Sequence, residues 1–420
     1  MLNLNRASVK KALGSKSTLS VLAVVLLWTY AFHLQWVKKQ FPFLVTAQLR
    51  FHQLLSHMDP MKHRAKEVAV IEIDDDTYWT PPFSGTCPTN RKALADLATA
   101  VANSGAKAIA IDFRLTSPSD TPGDDPTRGD QNQYLLDTLW EIAARKIPVI
   151  LTYFLVDNGH DGWKKQANIF EDASLPPGIS LGFINLPRDK RQIPLQMTAE
   201  DWNGDSPRAV DSFALKIVDA VERKAQITPP TLQNGTILAA EMRNEYVYGT
   251  FFKPKAFCRV SAKRVLNGEK FCQDRIVIIG ANWHEAAKGV GRPIEDYPSP
   301  VGSLPGLYLH ANYVESLLED HFWPEVPIWI GEPCDLLIGM LLYILVASCD
   351  GIGGRILVSL VFLIPLCLSY LFIANLGLYF DCVLPLSLCF VHLGYDFVRD
   401  YLKLKWGGAP ANVAGASAQS

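Results

Sequence analysis

Three observations predict an α/β domain with a mainly parallel sheet, joined to a helical membrane domain. Short apolar runs alternate with amphipathic segments in the middle of the 420-residue chain. Longer uncharged apolar runs lie near both ends, and the charged residues concentrate between them. The formal net charge is −2. Because this charge gives no positive potential to attract phosphates, we expect no nucleic-acid partner.

The central segment has a β-α-β-α-β pattern. The predicted strands are VAVIEID (68–74), AIAIDF (108–113) and PVILTYFLV (148–156), and the helical patterns between them are at 91–105 and 134–146. A later buried strand is predicted at 274–282 and a helix at 306–320. The intervening residues, 157–255, predict only short strands and one helix near 209–225. Near-continuous apolar strands separated by amphipathic helices are typical of a parallel sheet covered on both faces.

Four apolar segments are close to the roughly 20 residues that a helix needs to cross a bilayer. The predicted transmembrane helices are 17–37, 329–349, 356–377 and 378–395. The first has no small-x-small cleavage site, which favours an uncleaved anchor over a signal peptide. Basic residues precede the first helix, separate the second from the third and follow the fourth, so these segments belong on the cytoplasmic side. We therefore expect a multi-pass inner-membrane protein with a cytoplasmic N-terminus (1–16), an exported domain (38–328) and a cytoplasmic tail (396–420).

Three of the eight cysteines lie in the predicted exported segment, namely Cys87, Cys258 and Cys272. In an oxidising compartment Cys258 and Cys272 could close a loop, and such a disulfide stabilises a fold by about 3 kcal/mol. Because three cysteines cannot all pair with one another, the sequence allows either a Cys258–Cys272 disulfide or free thiols at these positions.

Polar residues at the ends of the predicted strands form a candidate ligand site. Asp74, Asp75 and Asp76 follow the first strand, and Asp112 ends the second. In an open parallel sheet, ligands bind beyond the carboxyl ends of the strands. The alternative is that these aspartates cap turns and helices. The ligand-binding candidates are Asp74, Asp75, Asp112, Gly280, Asn282 and His310.

No enzymatic motif has the context that its chemistry requires. Carboxylates from two strand ends could hold Mg²⁺ or Ca²⁺, so a membrane-anchored exported metal-dependent hydrolase is one alternative. No Gly-rich phosphate loop accompanies them. The run GISLG (178–182) has nucleophile-elbow spacing, but a strand, a sharp turn and a helix do not surround it. We expect no cofactor, and whether a metal binds is left open.

Four stretches resemble the CHASE extracellular sensor domain of the second type. They are VAVIEIDDDTY, NSGAKAIAIDF, RIVIIGAN and LPGLYLHANYVESLL. The last is the most specific, because the family carries Pro-Gly followed by His-Ala-Asn near its end. The resemblance covers residues 45 to 328 or so, and it implies an exported sensor that controls a cytoplasmic cyclase or kinase.

The chain departs from the family pattern after the predicted fourth helix, where only residues 399–420 remain. Such a segment is too short to fold as an output domain. We therefore expect a non-enzymatic membrane sensor or scaffold that couples through its helices to a separate signalling or envelope protein. Membrane lipid and that unidentified protein are the expected partners. A homo-oligomer, an envelope complex and a purely structural subunit of a membrane complex are further alternatives.

Overall fold

The computed structural model describes residues 42–58, 65–87, 89–115, 128–157, 162–166, 170, 175–201, 206–222, 246–271, 273–348 and 363–381. The chain divides into two compact units. One comprises Met1–Phe51 and Val326–Ser420, and the other comprises His52–Glu325. The predicted transmembrane helix at 17–37 and the predicted cytoplasmic segments 1–16 and 396–420 lie outside the described residues.

The described residues of the unit His52–Glu325 include 17 strands. They are β1 (Val68–Asp74), β2 (Ala108–Asp112), β3 (Val149–Tyr153), β4 (Leu155–Asp157), β5 (Trp163–Lys165), β6 (Ile179–Phe183), β7 (Gln192–Pro194), β8 (Gln196–Glu200), β9 (Arg208–Asp211), β10 (Tyr246–Gly249), β11 (Cys258–Ser261), β12 (Ile276–Asn282), β13 (His284–Ala286), β14 (Val290–Pro293), β15 (Tyr297–Ser299), β16 (Gly302–Leu304) and β17 (Phe322–Trp323).

The helices of the described residues are α1 (Pro42–Met58), α2 (Asp75–Tyr78), α3 (Arg91–Asn103), α4 (Arg128–Ala144), α5 (Phe213–Glu222), α6 (Ala262–Leu266), α7 (Gly306–Leu318), α8 (Ile328–Ser348) and α9 (Leu363–Leu376). Two 3₁₀ turns lie at Pro254–Ala256 and Ala287–Gly289.

A six-stranded sheet organises the unit, in the order β11-β1-β12-β2-β3-β6. Every neighbouring pair is parallel, which confirms the predicted α/β class with a mainly parallel sheet. The run GISLG supplies β6, and Ser180 pairs with Ile150 inside the sheet. Ser180 therefore lies within a strand, as the missing context of the nucleophile elbow predicted.

Helices cover both faces of this sheet because its strands are apolar on both sides. In β1, Ala69, Ile71 and Ile73 pack with residues of α3, α4 and α6. Val68 and Val70 point the other way and pack with α5 and α7, as the two-residue period of a strand requires. Four small sheets surround this centre, in the orders β4-β5-β8-β9, β17-β10-β7, β13-β14 and β15-β16.

Helix α7 is deeply enclosed, with every residue from Gly306 to Leu317 buried. Its polar side chains bind the backbone of neighbouring segments. The Asn312 side chain accepts the Phe252 N–H and donates to the Phe252 carbonyl. The Ser316 hydroxyl accepts the Thr250 N–H at 3.0 Å and donates to the Thr250 carbonyl at 2.7 Å. These bonds fix the segment that follows β10, which has no strand partner of its own at these residues.

Glu315, which also lies on α7, binds backbone groups at the start of β1. Its carboxylate accepts backbone N–H groups from Lys66, Glu67 and Val68, the last at 2.9 Å. The chain entering β1 is therefore held by α7, although 247 positions separate Val68 from Glu315.

The other unit contains α8 and α9. The Val326 N–H donates to the Tyr379 carbonyl at 2.9 Å, and the Gln48 amide donates to Asp381 at 3.0 Å. Helices thus occupy parts of the predicted spans 329–349 and 356–377. Residues 378–381, at the start of the predicted span 378–395, are not helical, and the rest of that span lies outside the described residues. In the stretches described here, we find no helix with both the length and the apolar character needed to cross a membrane.

We expect Asn312→Ala to lower the free energy of unfolding by about 3 kcal/mol, because it removes the hydrogen bonds that the buried Asn312 side chain makes to the Phe252 N–H and carbonyl, at about 1–3 kcal/mol each. Denaturant titration of the full-length protein in detergent measures this. Asn103→Ala is the matched control, since Asn103 is exposed and pairs only with Arg145 at the surface, and it should change stability by less than about 0.5 kcal/mol. Equal effects of the two substitutions would contradict the assignment.

Candidate functional site

The carboxyl edge of the central sheet brings together polar residues from three adjacent strands. Glu72 on β1, Gly280 on β12 and Asp112 on β2 lie side by side in register. By strand alternation all three point to the α7 face of the sheet. A Cβ at Gly280 would lie 2.8 Å from Leu307 Cδ1 and 3.2 Å from Asp112 Cβ. Glycine is needed here so that α7 can approach the sheet between two acidic side chains.

Asp74 caps the short helix α2. Its carboxylate accepts the Thr77 N–H at 3.0 Å and the Thr77 hydroxyl at 2.6 Å. Thr77 Oγ1 in turn accepts the Lys263 N–H at 3.2 Å and lies 3.0 Å from Ser261 Oγ. Of the two alternatives for this residue, the structure shows the helix cap. Asp76, two positions further on, is exposed.

Asp75 pairs with a histidine that is 209 positions away in the chain. It accepts the His284 backbone N–H at 2.8 Å, and its second oxygen lies 2.8 Å from His284 Nδ1. A carboxylate oxygen accepts, so His284 Nδ1 is the donor in this bond. The two bonds hold the residues after β12 over the end of β1.

Asn282 belongs to a network around Glu72. Its amide donates to Glu72 Oε1 at 3.0 Å, and the Tyr308 hydroxyl donates to the same oxygen. The Arg259 guanidinium lies 3.6 Å from that oxygen. Burial, and then the adjacent Glu72 charge, raise the pKa of Tyr308 above its ordinary value. The phenol therefore stays protonated and donates, which makes Asn282 and Glu72 part of the contact between α7 and the sheet.

Asp112 lies near a second acidic residue, Glu295, from the connection between β14 and β15. Both are half-buried. Burial is the main cause that raises the pKa of Asp112 well above its usual range, and the Glu295 charge adds to it. Burial also raises the pKa of Glu295, although the backbone N–H of Gly306, which Glu295 accepts at the start of α7, acts in the opposite direction.

Gly306 lets Glu295 approach the first residue of α7 closely. A Cβ at this position would overlap Glu295 Oε2 and would lie 3.5 Å from Tyr297 Cε2. Burial, and then the charges of Glu295 and Asp112, raise the pKa of Tyr297. The Lys190 ammonium lies 5.3 Å from the centre of the Tyr297 ring. Sequence patterns gave no sign of Glu295, Tyr297 or Lys190, because all three lie in segments rich in turn residues that carry no periodic pattern.

His310 is buried among aromatic rings and is only 3 % exposed. Its ring makes edge contacts with Phe213 at 5.5 Å and with Tyr313 at 5.7 Å between centroids. Burial, followed by the nearby Lys190 charge, lowers the pKa of His310 to about 3. Its ring nitrogens have no hydrogen-bond partner among the residues that the structure describes. The contacts of His310 are therefore with α5 and α7 rather than with Asp74 or Asp75.

Most of the polar side chains at the carboxyl edge are carboxyl groups, and Asp74, Asp75 and Glu72 each form hydrogen bonds to other residues of the protein. In the described ranges no group of three or more His, Cys, Asp or Glu side chains is placed to hold a metal ion.

Cys258 is disulfide-bonded. Cys272 lies outside the described residues, so its pairing with Cys258 stays a prediction, and Cys87 is an exposed free thiol.

Comparison with known proteins identifies the sequence family. The model of the CHASE2 domain matches residues 19–348, which is more than half of the chain, and this confirms the resemblance seen in the four stretches. Neither the curated proteins nor the solved structures contain a significant match.

The three consecutive aspartates should differ in their effect on stability. We expect Asp74→Ala to lower the free energy of unfolding by about 1–2 kcal/mol, because the cap of α2 is lost. Asp76→Ala is the matched control and should stay within about 0.5 kcal/mol of the wild type, since its side chain is exposed. Denaturant titration of both variants is the measurement, and a wild-type stability for Asp74→Ala would refute the cap.

His310 should make the fold sensitive to acid. Its pKa is about 3 in the folded protein against an ordinary 6.5, so between these values only the unfolded chain binds the proton and stability falls as the pH drops. The loss is about 1.4 kcal/mol per pH unit below 6.5. Between pH 7.5 and pH 5, the wild type should lose about 2 kcal/mol more than His310→Phe, which keeps an aromatic ring. Parallel losses in the two proteins, measured by denaturant titration, would show that His310 is protonated when folded.

Proposed function

The chain belongs to the CHASE2 domain family, a family of extracellular sensor domains, and from that premise we propose that it is an integral membrane sensor. In this proposal the unit His52–Glu325 lies outside the cytoplasmic membrane and reads a ligand or a partner there. The protein has no catalytic output of its own and couples through its helices to a separate signalling or envelope protein.

The observation that carries this proposal is the order of elements at the end of the sensor unit. Helix α7 is the buried helix to which the candidate site is attached, and residues 319–327 are all that separate it from α8. In this proposal a shift of α7 is passed along the chain to α8 through the residues 319–327. A ligand can drive such a shift only if it binds two states with different affinity, and the Asp112 edge at the first turn of α7 is where the difference would arise.

Helix α8 has the surface expected of an element that contacts lipid or another helix. Trp329, Leu337 and Leu341 are exposed, and spacings of eight and four residues place them on one face of the helix. Leu371 and Leu376 of α9 are exposed as well. Large apolar side chains grouped in this way mark an interaction surface, which supports membrane lipid or a partner helix as the neighbour of this unit.

Reporter fusions test the arrangement across the membrane. Fusions after Lys39 and near Gly159 should register outside the cytoplasmic membrane, and a fusion after Ser420 should register inside, because basic residues flank the cytoplasmic ends of the predicted spans. A fusion after Arg6 is the control and should also register inside. An inside signal near Gly159 would refute an exported sensor unit, and an outside signal at Ser420 would remove one span from the arrangement.

A further inference from the structure

The connection between β12 and α7 includes an exposed hairpin, β13–β14. Every residue from Glu285 to Ile294 except Ala286 is open to solvent. Val290 is 61 % exposed and Ile294 is 50 % exposed, the two largest exposed fractions among the large apolar side chains described in the unit His52–Glu325. Two aliphatic side chains left open to water on one short hairpin indicate a surface that another molecule covers.

The base of the hairpin is fixed to the carboxyl edge of the central sheet. His284 donates to Asp75 through its backbone N–H and through Nδ1, each at 2.8 Å. The Ile294 N–H donates to the Trp283 carbonyl at 3.0 Å, and the Trp283 ring stacks on Tyr78 with 3.9 Å between centroids. A surface held in place before binding loses little conformational entropy when a partner covers it.

The hairpin and the turn after it carry balanced charge. Two acidic and two basic side chains are exposed there, namely Glu285, Lys288, Arg292 and Asp296. In the part of the chain that the structure describes, none of the four forms an ion pair. Glu285 accepts the Arg292 backbone N–H at 3.4 Å, and Asp296 accepts the Ser303 hydroxyl. Both signs of charge are therefore available to a partner.

This balance selects a second copy of the chain as the partner. In a two-fold contact the basic side chains of one copy meet the acidic side chains of the other, and the aliphatic side chains pack together. A partner of one charge sign, such as an anionic lipid surface, would face two like charges at the same place. Addition of a strand along β14 is disfavoured, because Pro293 has no N–H and the Arg292 N–H is bound to Glu285.

The hairpin lies at the opposite edge of the sheet from the points where the chain enters and leaves it. Glu315, near the end of α7, accepts the N–H of Val68, the first residue of β1. Both connections are therefore at the amino edge. The hairpin begins at His284, two positions after β12 ends at Asn282, and so follows the carboxyl edge. A second copy can cover the hairpin and leave the chain entry and exit of the sheet uncovered.

We propose that the β13–β14 hairpin is a self-association surface through which two copies of this chain pair. Val290 and Ile294 form the apolar part of the contact, and the four exposed charged side chains around them fix its two-fold register. The inference goes beyond the proposed function and does not depend on it, because it rests on the surface of the hairpin alone.

Photo-cross-linking of the full-length protein in its native membrane tests this pairing. With p-benzoylphenylalanine in place of Ile294, irradiation should give a covalent product of twice the monomer mass, and mass spectrometry should find only this chain in it. Val156 is the matched control position, since it is 42 % exposed on β4, and the same replacement there should give no such dimer.

Charge reversal on this cross-linking background tests the register. Lys288→Glu combined with Arg292→Glu makes every charge of the surface acidic, so the dimer should be lost through repulsion. Glu285→Lys combined with Asp296→Lys should lose it in the same way. Co-expression of the two reversed chains should restore the cross-link, because opposite charges then face each other, and this restoration excludes misfolding as the cause of the loss.

Three results would overturn the self-association surface. One is a product at position 294 that contains a different protein, or no product there at all. Another is a dimer that persists when Lys288 and Arg292 are both reversed, and the third is no restoration on co-expression. The reporter fusions locate the sensor unit whatever the cross-linking shows, so failure of the pairing is distinct from failure of the proposed function.

Discussion

The structure depends on the hydrogen bonds that one buried helix makes to the backbone around it. Helix α7 has no exposed side until its last residues, so a polar side chain on it can form hydrogen bonds only inside the protein. Asn312, Glu315 and Ser316 meet this requirement by binding backbone groups of the segment after β10 and of the chain that enters β1. An unpaired buried group costs about 1–3 kcal/mol, and this makes the positions of β1 and of the segment after β10 dependent on α7.

Burial also shifts the pKa values of two groups, His310 on α7 and Asp112 on β2. At His310 it outweighs the benefit of a charge, so the imidazole stays neutral among aromatic rings. At Asp112 it acts with a neighbouring carboxyl group, and both effects favour the protonated form. One pKa unit corresponds to about 1.4 kcal/mol, which is large compared with the typical contribution of a surface ion pair, 0–1 kcal/mol. Helix α7 is thus flanked by groups whose charge is suppressed by their position.

The partners of the edge residues show what these side chains do for the fold. Asp74, Asp75 and Glu72 each have a structural partner that explains their presence. Such bonds attach α2, the residues after β12 and α7 to the ends of the strands. The carboxyl edge of the sheet is therefore held together by side-chain bonds between segments that are distant in the sequence.

Sequence by itself determined the α/β class, the parallel sheet and the strand ends, because buried strands and amphipathic helices leave periodic patterns that local chemistry imposes. It also placed Asp74, Asp112 and Gly280 at one edge, since strand ends in a parallel sheet coincide. Tertiary structure alone decided their roles. The pairing of Asp75 with His284 joins residues 209 positions apart, and Glu295 lies in a turn-rich segment that carries no periodic signal. Whether a carboxyl group caps a helix, pairs with a base or retains a proton depends on burial and on neighbours brought from distant parts of the chain, and these are properties of the fold.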